Sequence, residues 1–340
     1  MLEEITLQYG HRGLALSNDA IRAVVLPDKG CDIFSVTDRE SGIDVLFKSP
    51  WGLMPQGPGV SAPNSAANWL RHYPGGWQVI LPNGGADATV AGSAWGFHGE
   101  ACLAGWSWEE AEGGLDAATR LFYAPLEIRR EIRLADDGSL RLQETVTNDS
   151  PDPISFMWGH HPAFGRPLVE PGARIATGAR TYVADDEQPG HGIEPNSRHA
   201  WPQIRTEDGA TLDLSIIPDE AVARLGYLTD FDEHWFAITN PRLELGVAMR
   251  WSAGVLDHAW FWQELDASQG FPWFRRAYVT AIEPNSTFPA QGAETAKDKG
   301  GTLVDLDGGA SATVTIALTL FHGSGAVVGI ADDGSVLTRE

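Results

Sequence analysis

Between residues 20 and 321 the chain is cut repeatedly into short apolar-rich runs by Gly, Pro, Asp and Asn. Such runs lie at 20–26, 31–37, 43–47, 106–110, 117–123, 126–134 and 140–146, and again at 211–217, 225–229, 235–239, 243–251, 259–265, 277–283, 302–306 and 312–321. They are rich in Val, Ile, Thr and aromatic residues, which suit a pleated, half-covered surface. Several alternate apolar with polar side chains, the period-two signature of a strand with one buried face. No segment longer than about ten residues carries an apolar 3.6-residue period, so helices cannot be the main building unit. Strand candidates at this spacing, without internal repeats or a dividing linker, predict an all-β chain. The expected architecture is one large antiparallel β-sandwich spanning 1–340 as a single domain.

A few stretches break the rhythm. Residues 48–70 carry Pro50, Pro55, Pro58 and Pro63 among Gly52, Gly57 and Gly59 and read as a long loop, the kind that is functional or disordered in a compact domain. Residues 166–210 read as an irregular excursion with His191 and His199 on the surface, and the tail from 324 as one more edge strand. Arg129, Arg130 and Arg133 read as a solvated strand face with cross-strand ion pairs.

Composition narrows the function classes. Against 24 Lys and Arg stand 46 Asp and Glu, a formal net charge of −22, which repels phosphate backbones and anionic lipid. No nucleic-acid or membrane-surface partner is expected. No run of about 18 apolar residues exists, and the acidic N-terminus lacks the basic start of a signal peptide, so a cytoplasmic protein is expected. Cys31 and Cys102 make neither a disulfide framework nor a metal-ligand cluster and are read as reduced, buried thiols. No His-Glu-x-x-His, phosphate-binding loop, Gly-x-Gly-x-x-Gly or Gly-x-Ser-x-Gly is present, and no metal or cofactor is expected.

Three stretches can carry chemistry: Phe97-His98-Gly99-Glu100, Gly159-His160-His161-Pro162 and Ile282-Glu283-Pro284. A residue before proline is pushed towards extended backbone, so His161 and Glu283 both read as strand ends. Successive strand side chains point to opposite faces, so His160 and His161 cannot both face one cleft. An imidazole fixed there is a candidate for proton transfer, weighed against a histidine pair with satisfied hydrogen bonds in the core. A carboxylate at Glu283 must be solvated in a cleft, paired or hydrogen-bonded; the bland alternative is a turn cap.

Together these stretches resemble the aldose 1-epimerase (galactose mutarotase-like) family. The likeness rests on Phe97-His98-Gly99-Glu100, on His161-Pro162-Ala163-Phe164 about 60 residues later, and on Ile282-Glu283-Pro284-Asn285-Ser286. Gly30 and Trp262-Gln263-Glu264 also look like that family, so the resemblance spans nearly the whole chain. It implies a β-supersandwich with a pocket on the concave face of a large sheet. It further implies cofactor-free interconversion of the α and β anomers of a free sugar, the small-molecule partner expected here. Glu283 would be the base and His161 the acid, with His98 holding the sugar or sharing charge on its ring oxygen. His160 would then lie on the back face of its strand. Trp77, Trp158 and Trp262 suit the apolar faces of a pyranose, and Arg71 and Gln263 its hydroxyls. Arg71 stands at a spacing similar to that of a family arginine, with different flanking residues, and either Asp230 or Asp232 could match a family aspartate. Well-studied galactose mutarotases carry the glutamate on a later Gly-Glu turn, which here reads Asp307-Gly308-Gly309-Ala310. The Glu-Pro arrangement looks instead like divergent branches, including hexose-phosphate mutarotase-like members. Two rival readings use the same scaffold: a non-catalytic carbohydrate-binding protein, and a different sugar isomerase or lyase.

Overall fold

The computed structural model describes residues 2–55, 62–331 and 333–339. Among these residues seventeen strands join into one antiparallel sheet that curls into a sandwich, fifteen of them in a row, with Arg174–Ala184 and then Arg198–Ala200 branching from Val222–Asn240. From one edge it runs Ser107–Ala111, Gly114–Arg120, Leu126–Leu134, Leu140–Asn148, Ser311–His322, Leu245–Trp251 and Val222–Asn240. It continues through His258–Leu265, Tyr278–Asn285, Gly159–Gly165, Trp77–Ile80, Asp32–Asp38, Ile21–Leu26, Arg12–Ser17 and Leu2–Thr6. A core spanning Leu14, Ile33, Ile128, Leu142, Val247 and Ile316 ties the two ends of this order together. The all-β antiparallel sandwich expected from the spacing is the observed fold.

Period-two alternation decides what each strand buries. In Leu126–Leu134, Ile128 and Ile132 point into the core and stand opposite Val146 and Leu142 of Leu140–Asn148. Arg130 shares that inner face, directly opposite Glu144, and both are essentially inaccessible. The expectation of a fully solvated arginine face is therefore corrected at Arg130, which the strand period places with Ile128 and Ile132. Arg129 and Arg133 lie outside as expected, paired with Glu127 and with Asp116.

Other expectations are corrected too. The excursion at 166–210 contains the eleven-residue strand Arg174–Ala184, whose mix of Ala, Thr, Gly and Arg gave little apolar contrast. The separate runs at 225–229 and 235–239 are one strand, Val222–Asn240, bent where Asp230 adopts φ 56°. His191 is exposed, and His199 is half-buried against the Ser197 hydroxyl. The tail is not an edge of the main sheet but its own hairpin, Ala326–Ile330 with Val336–Arg339. Of the loop at 48–70, Gly57, Pro58 and Gly59 lie outside the described residues. Its end is the helix Ser65–Arg71, started by Asn64, whose side-chain oxygen accepts from the Ala67 amide at 2.8 Å.

Candidate active site

The central strands Gly159–Gly165, Tyr278–Asn285 and His258–Leu265 lie side by side and carry the candidate groups. Gly159 pairs with Asn285 and Ala163 with Ala281, so His161 and Glu283 stand opposite one another on one face. Trp260 pairs with Glu283 and joins that face, with Trp262 two residues further along. His161 Nε2 lies 3.6 Å from Glu283 Oε1. Both line a cavity of about 390 Å³ walled by Trp69, Phe97, Trp260, Trp262 and Trp273.

His98 reaches the cavity from a turn with φ 56°, an uncommon backbone conformation for a side-chain-bearing residue. The Gly85 amide donates to its Nδ1 at 3.1 Å. An amide can only donate, so Nδ1 is the acceptor and, in the neutral ring, the proton sits on Nε2. Gly85 itself has φ +72°, and a Cβ there would fall 1.8 Å from the Ala290 carbonyl oxygen, so only glycine fits the turn that presents this amide. The His98 ring lies 5.6 Å from the His161 ring and edge-on to Trp69 at 4.6 Å.

Burial dominates the electrostatics. It pushes the His161 imidazole down to about 4 and the Glu283 carboxyl well above its ordinary range. His98 is held well below its ordinary value by burial and then by the neighbouring His161. The His161 and Glu283 shifts both favour the neutral forms, so burial opposes separating charge across the 3.6 Å between the two groups. Glu283 Oε2 and His161 Nδ1 are also buried without a hydrogen-bond partner in the chain. In most proteins such atoms are paired, so these two stand out as acceptor and donor positions for a ligand.

The second histidine behaves differently. His160 faces the opposite side of the strand, where Trp77 Nε1 donates to its Nδ1 at 3.1 Å and its Nε2 lies 3.1 Å from Glu144. Glu144 is paired with Arg130 and accepts from Trp158 Nε1 at 3.2 Å. Burial alone would raise the Glu144 carboxyl, but Arg130 and His160 outweigh it and hold it at about 2.

Of the residues singled out from the sequence, the structure brings His161, Glu283, His98 and Trp262 into one cavity. Trp77 and Trp158 do not reach it; both indoles are buried on the back face around His160 and Glu144. Gln263 also turns away, paired in register with Arg224 and bonded to the Thr280 hydroxyl at 3.4 Å. Arg71, half-buried at the end of its helix, borders a neighbouring surface pocket that shares Leu70 and Phe271 with the cavity rim. Asp230 and Asp232 are exposed and paired with Arg198 and Arg180. Glu100 ties down the 122–123 backbone, its carboxylate accepting from the Phe122 and Tyr123 amides. Trp69, Trp260, Trp273 and Arg224 line the cavity but were not singled out. For Trp260 a signal existed, since it alternates with Trp262 on the strand. Trp273 is held by a turn whose amides at Ala267 and Ser268 donate to Glu264, each at 2.9 Å.

Among the described residues no three His, Cys, Asp or Glu side chains are gathered to hold a metal ion. None of the described helices is long and apolar enough to cross a membrane.

This sheet and its central cavity are the galactose mutarotase-like fold. A provisionally named aldose 1-epimerase from Klebsiella pneumoniae superposes with a TM-score of 0.72 at 18% identity, over 95% of this chain and 84% of its own. A galactose mutarotase-like protein from Clostridium acetobutylicum gives 0.65 at 13% identity, over 95% and 98%. A galactose mutarotase related enzyme from Lactobacillus acidophilus gives 0.63 at 15%, over 92% and 98%. At such identities the likeness is one of fold, and it bears out the resemblance drawn from the motifs as a divergent one. By sequence the chain belongs to the family described as a domain of unknown function (DUF4432), whose model matches residues 8–320. No curated protein matches it.

Proposed function

We propose that the protein is a sugar mutarotase that interconverts the α and β anomers of a free sugar. The observation carrying this reading is the buried His161–Glu283 pair, an imidazole and a carboxyl 3.6 Å apart in an aromatic-walled cavity. Ring opening needs that inventory: one group takes the proton from the anomeric hydroxyl while the other delivers one to the ring oxygen. The bond between the anomeric carbon and the ring oxygen breaks, giving the open aldehyde. After rotation about the adjacent carbon–carbon bond, closure on the other face returns both protons. Glu283 is the base and His161 the acid when the proton sits on the imidazole; burial in the chain alone favours the proton on Glu283. The opposite placement of the same proton serves the reverse transfers, so a near-thermoneutral reaction can run both ways.

His98 supports the reading as a fixed donor, its Nε2–H free to hold the ring oxygen or a hydroxyl because Nδ1 is occupied by Gly85. Trp69, Trp262 and Trp273 offer flat apolar surface for the faces of a pyranose, and no group outside the chain is needed for the proton transfers. The test is polarimetry, or NMR saturation transfer, on freshly dissolved neutral and acidic aldoses. At least one anomer should equilibrate faster with the protein than without it. If none does, the proposal fails.

A further inference from the structure

The reading above leaves one buried charge unused. Arg224 lies in Val222–Asn240 and is only 7% exposed, yet its Nε and Nη1 are buried with no hydrogen-bond partner in the chain. Among the described residues it takes part in no salt bridge. Arg224 stands opposite Gln263, on the sheet face away from Trp262, where it borders a second cavity of about 720 Å³ between the sheet and the segment from Gly190 to Pro218. Its stretch of strand, residues 223–225, also forms an edge of the His161–Glu283 cavity. The acidic group that acts on it is Glu220, exposed on the wall of the second cavity. Tyr182 occupies the same face, its hydroxyl buried and unpartnered. The chain makes room for that hydroxyl at Gly226, where a Cβ would stand 2.3 Å from it.

A guanidinium has donors only and does not lose its proton in a protein, so burial cannot neutralise it as it does His161. An unpaired buried cation is costly, and neutral hydroxyls can satisfy its N–H groups but not its charge. We propose that Arg224, with the Tyr182 hydroxyl as a second donor, is an oxyanion-binding site for a carboxylate or phosphate group where the two cavities adjoin. Two sources share that chemistry. One is the acidic substituent of the sugar bound at His161 and Glu283, which rests on the mutarotase reading. The other is a free oxyanion in the second cavity, which does not.

The experiment measures binding, not turnover, and so stands apart from the fate of the mutarotase reading. Inorganic phosphate, acetate and glucuronate are titrated calorimetrically into the wild-type protein, R224Q and R224K. At least one anion should bind the wild type saturably, at least tenfold more weakly to R224Q, with R224K between them. R224Q should melt no lower than the wild type, because it removes a charge that the chain itself does not pair. Y182F, which keeps the ring, should weaken the same anion severalfold and guards against a folding artefact at position 224. Competition then separates the sources. A phosphate site from which glucose and glucuronate displace nothing is the free-oxyanion site, whereas displacement by glucuronate and not by glucose marks the acidic end of the sugar. The proposal is overturned if no anion binds saturably to the wild type, or if R224Q binds it within twofold of the wild type.

Discussion

His160 and His161 are neighbours in one strand, equally buried, and differ in almost everything else. His160 has a tryptophan donor on one nitrogen and a carboxylate beside the other, and that carboxylate is paired in turn with Arg130. His161 faces a cavity, opposite a carboxyl that burial drives towards its neutral form, with its second nitrogen unpartnered. A single strand thus carries a charge-paired network on one face and, on the other, a pair whose outer atoms face a hollow. In the paired network His160 Nε2 and Arg130 Nη2 lack ideal hydrogen bonds but lie against Glu144. Pairing is what stability favours, because unpaired buried polar atoms are expensive. An incomplete network in a hollow is therefore where function is to be sought.

The largest expected effect breaks the incomplete side. Glu283→Gln and His161→Asn should each lower the mutarotation rate by about 10²–10⁴-fold, the usual contribution of a positioned acid or base. Near-wild-type circular dichroism and melting would show that the fold survives. A loss smaller than tenfold would show that the acid/base pair lies elsewhere. The converse change is Glu144→Gln on the charge-paired side, which strands Arg130 as a buried charge. It should cost about 3–5 kcal/mol of stability in urea unfolding. A cost below about 1 kcal/mol would mean that the two faces do not differ in the way described.

How much of this was legible beforehand follows from which physical rule each residue obeys. Strand count and fold class were open to reading because turn residues and period-two alternation act locally. His161 and Glu283 were legible through motifs that resemble one family, but not as the strand ends expected of residues before proline. Their strands run on past Pro162 and Pro284, to Gly165 and Asn285. Trp77 was misjudged because its face depends on pairing with another strand: Gln78, not Trp77, stands opposite His161. That register is set by contacts far apart in sequence. Gln263 is a different failure, since alternation alone places it on the face opposite Trp262. Arg130 was misread the same way, although it shares a parity with Ile128 and Ile132. Trp69 was hidden because its helix sits in a stretch dominated by Pro and Gly, and the cue was the short Asn64 cap.

A third prediction uses pH to separate His161 from a partnered histidine. Its imidazole is held at about 4, against 6.5 in an unfolded chain, by burial. Between those values the unfolded chain binds a proton that the folded one refuses, so stability falls as pH drops from 6.5 towards 4 and is fully present above that window. At about 1.4 kcal/mol per pH unit, His161 contributes roughly 3 kcal/mol to that acid-side loss. Urea unfolding at pH 7 and pH 4.5 should therefore show a clearly smaller drop for His161→Asn than for the wild type. Equal drops would mean that the ring takes up its proton in the folded state as readily as in water.

The smallest effect repeats the comparison one layer out, at Arg129 and Arg130. Arg129 is paired with Glu127 on the solvated side of its strand, with its own side chain 69% exposed. Water screens that pair, and holding two long side chains together costs entropy, so exposed ion pairs contribute about 0–1 kcal/mol. Glu127 also keeps a second partner in Arg120 when Arg129 is removed. Arg129→Ala should thus change stability by less than about 1 kcal/mol, and 1 M salt should shrink even that. Arg130→Met, one residue along, uncovers Glu144 beneath the sheet and should cost several times more, with little dependence on salt. If the two substitutions proved equal, the face of the strand would not be what decides the worth of an arginine here. The distinction drawn between the two histidines would then lose its simplest support.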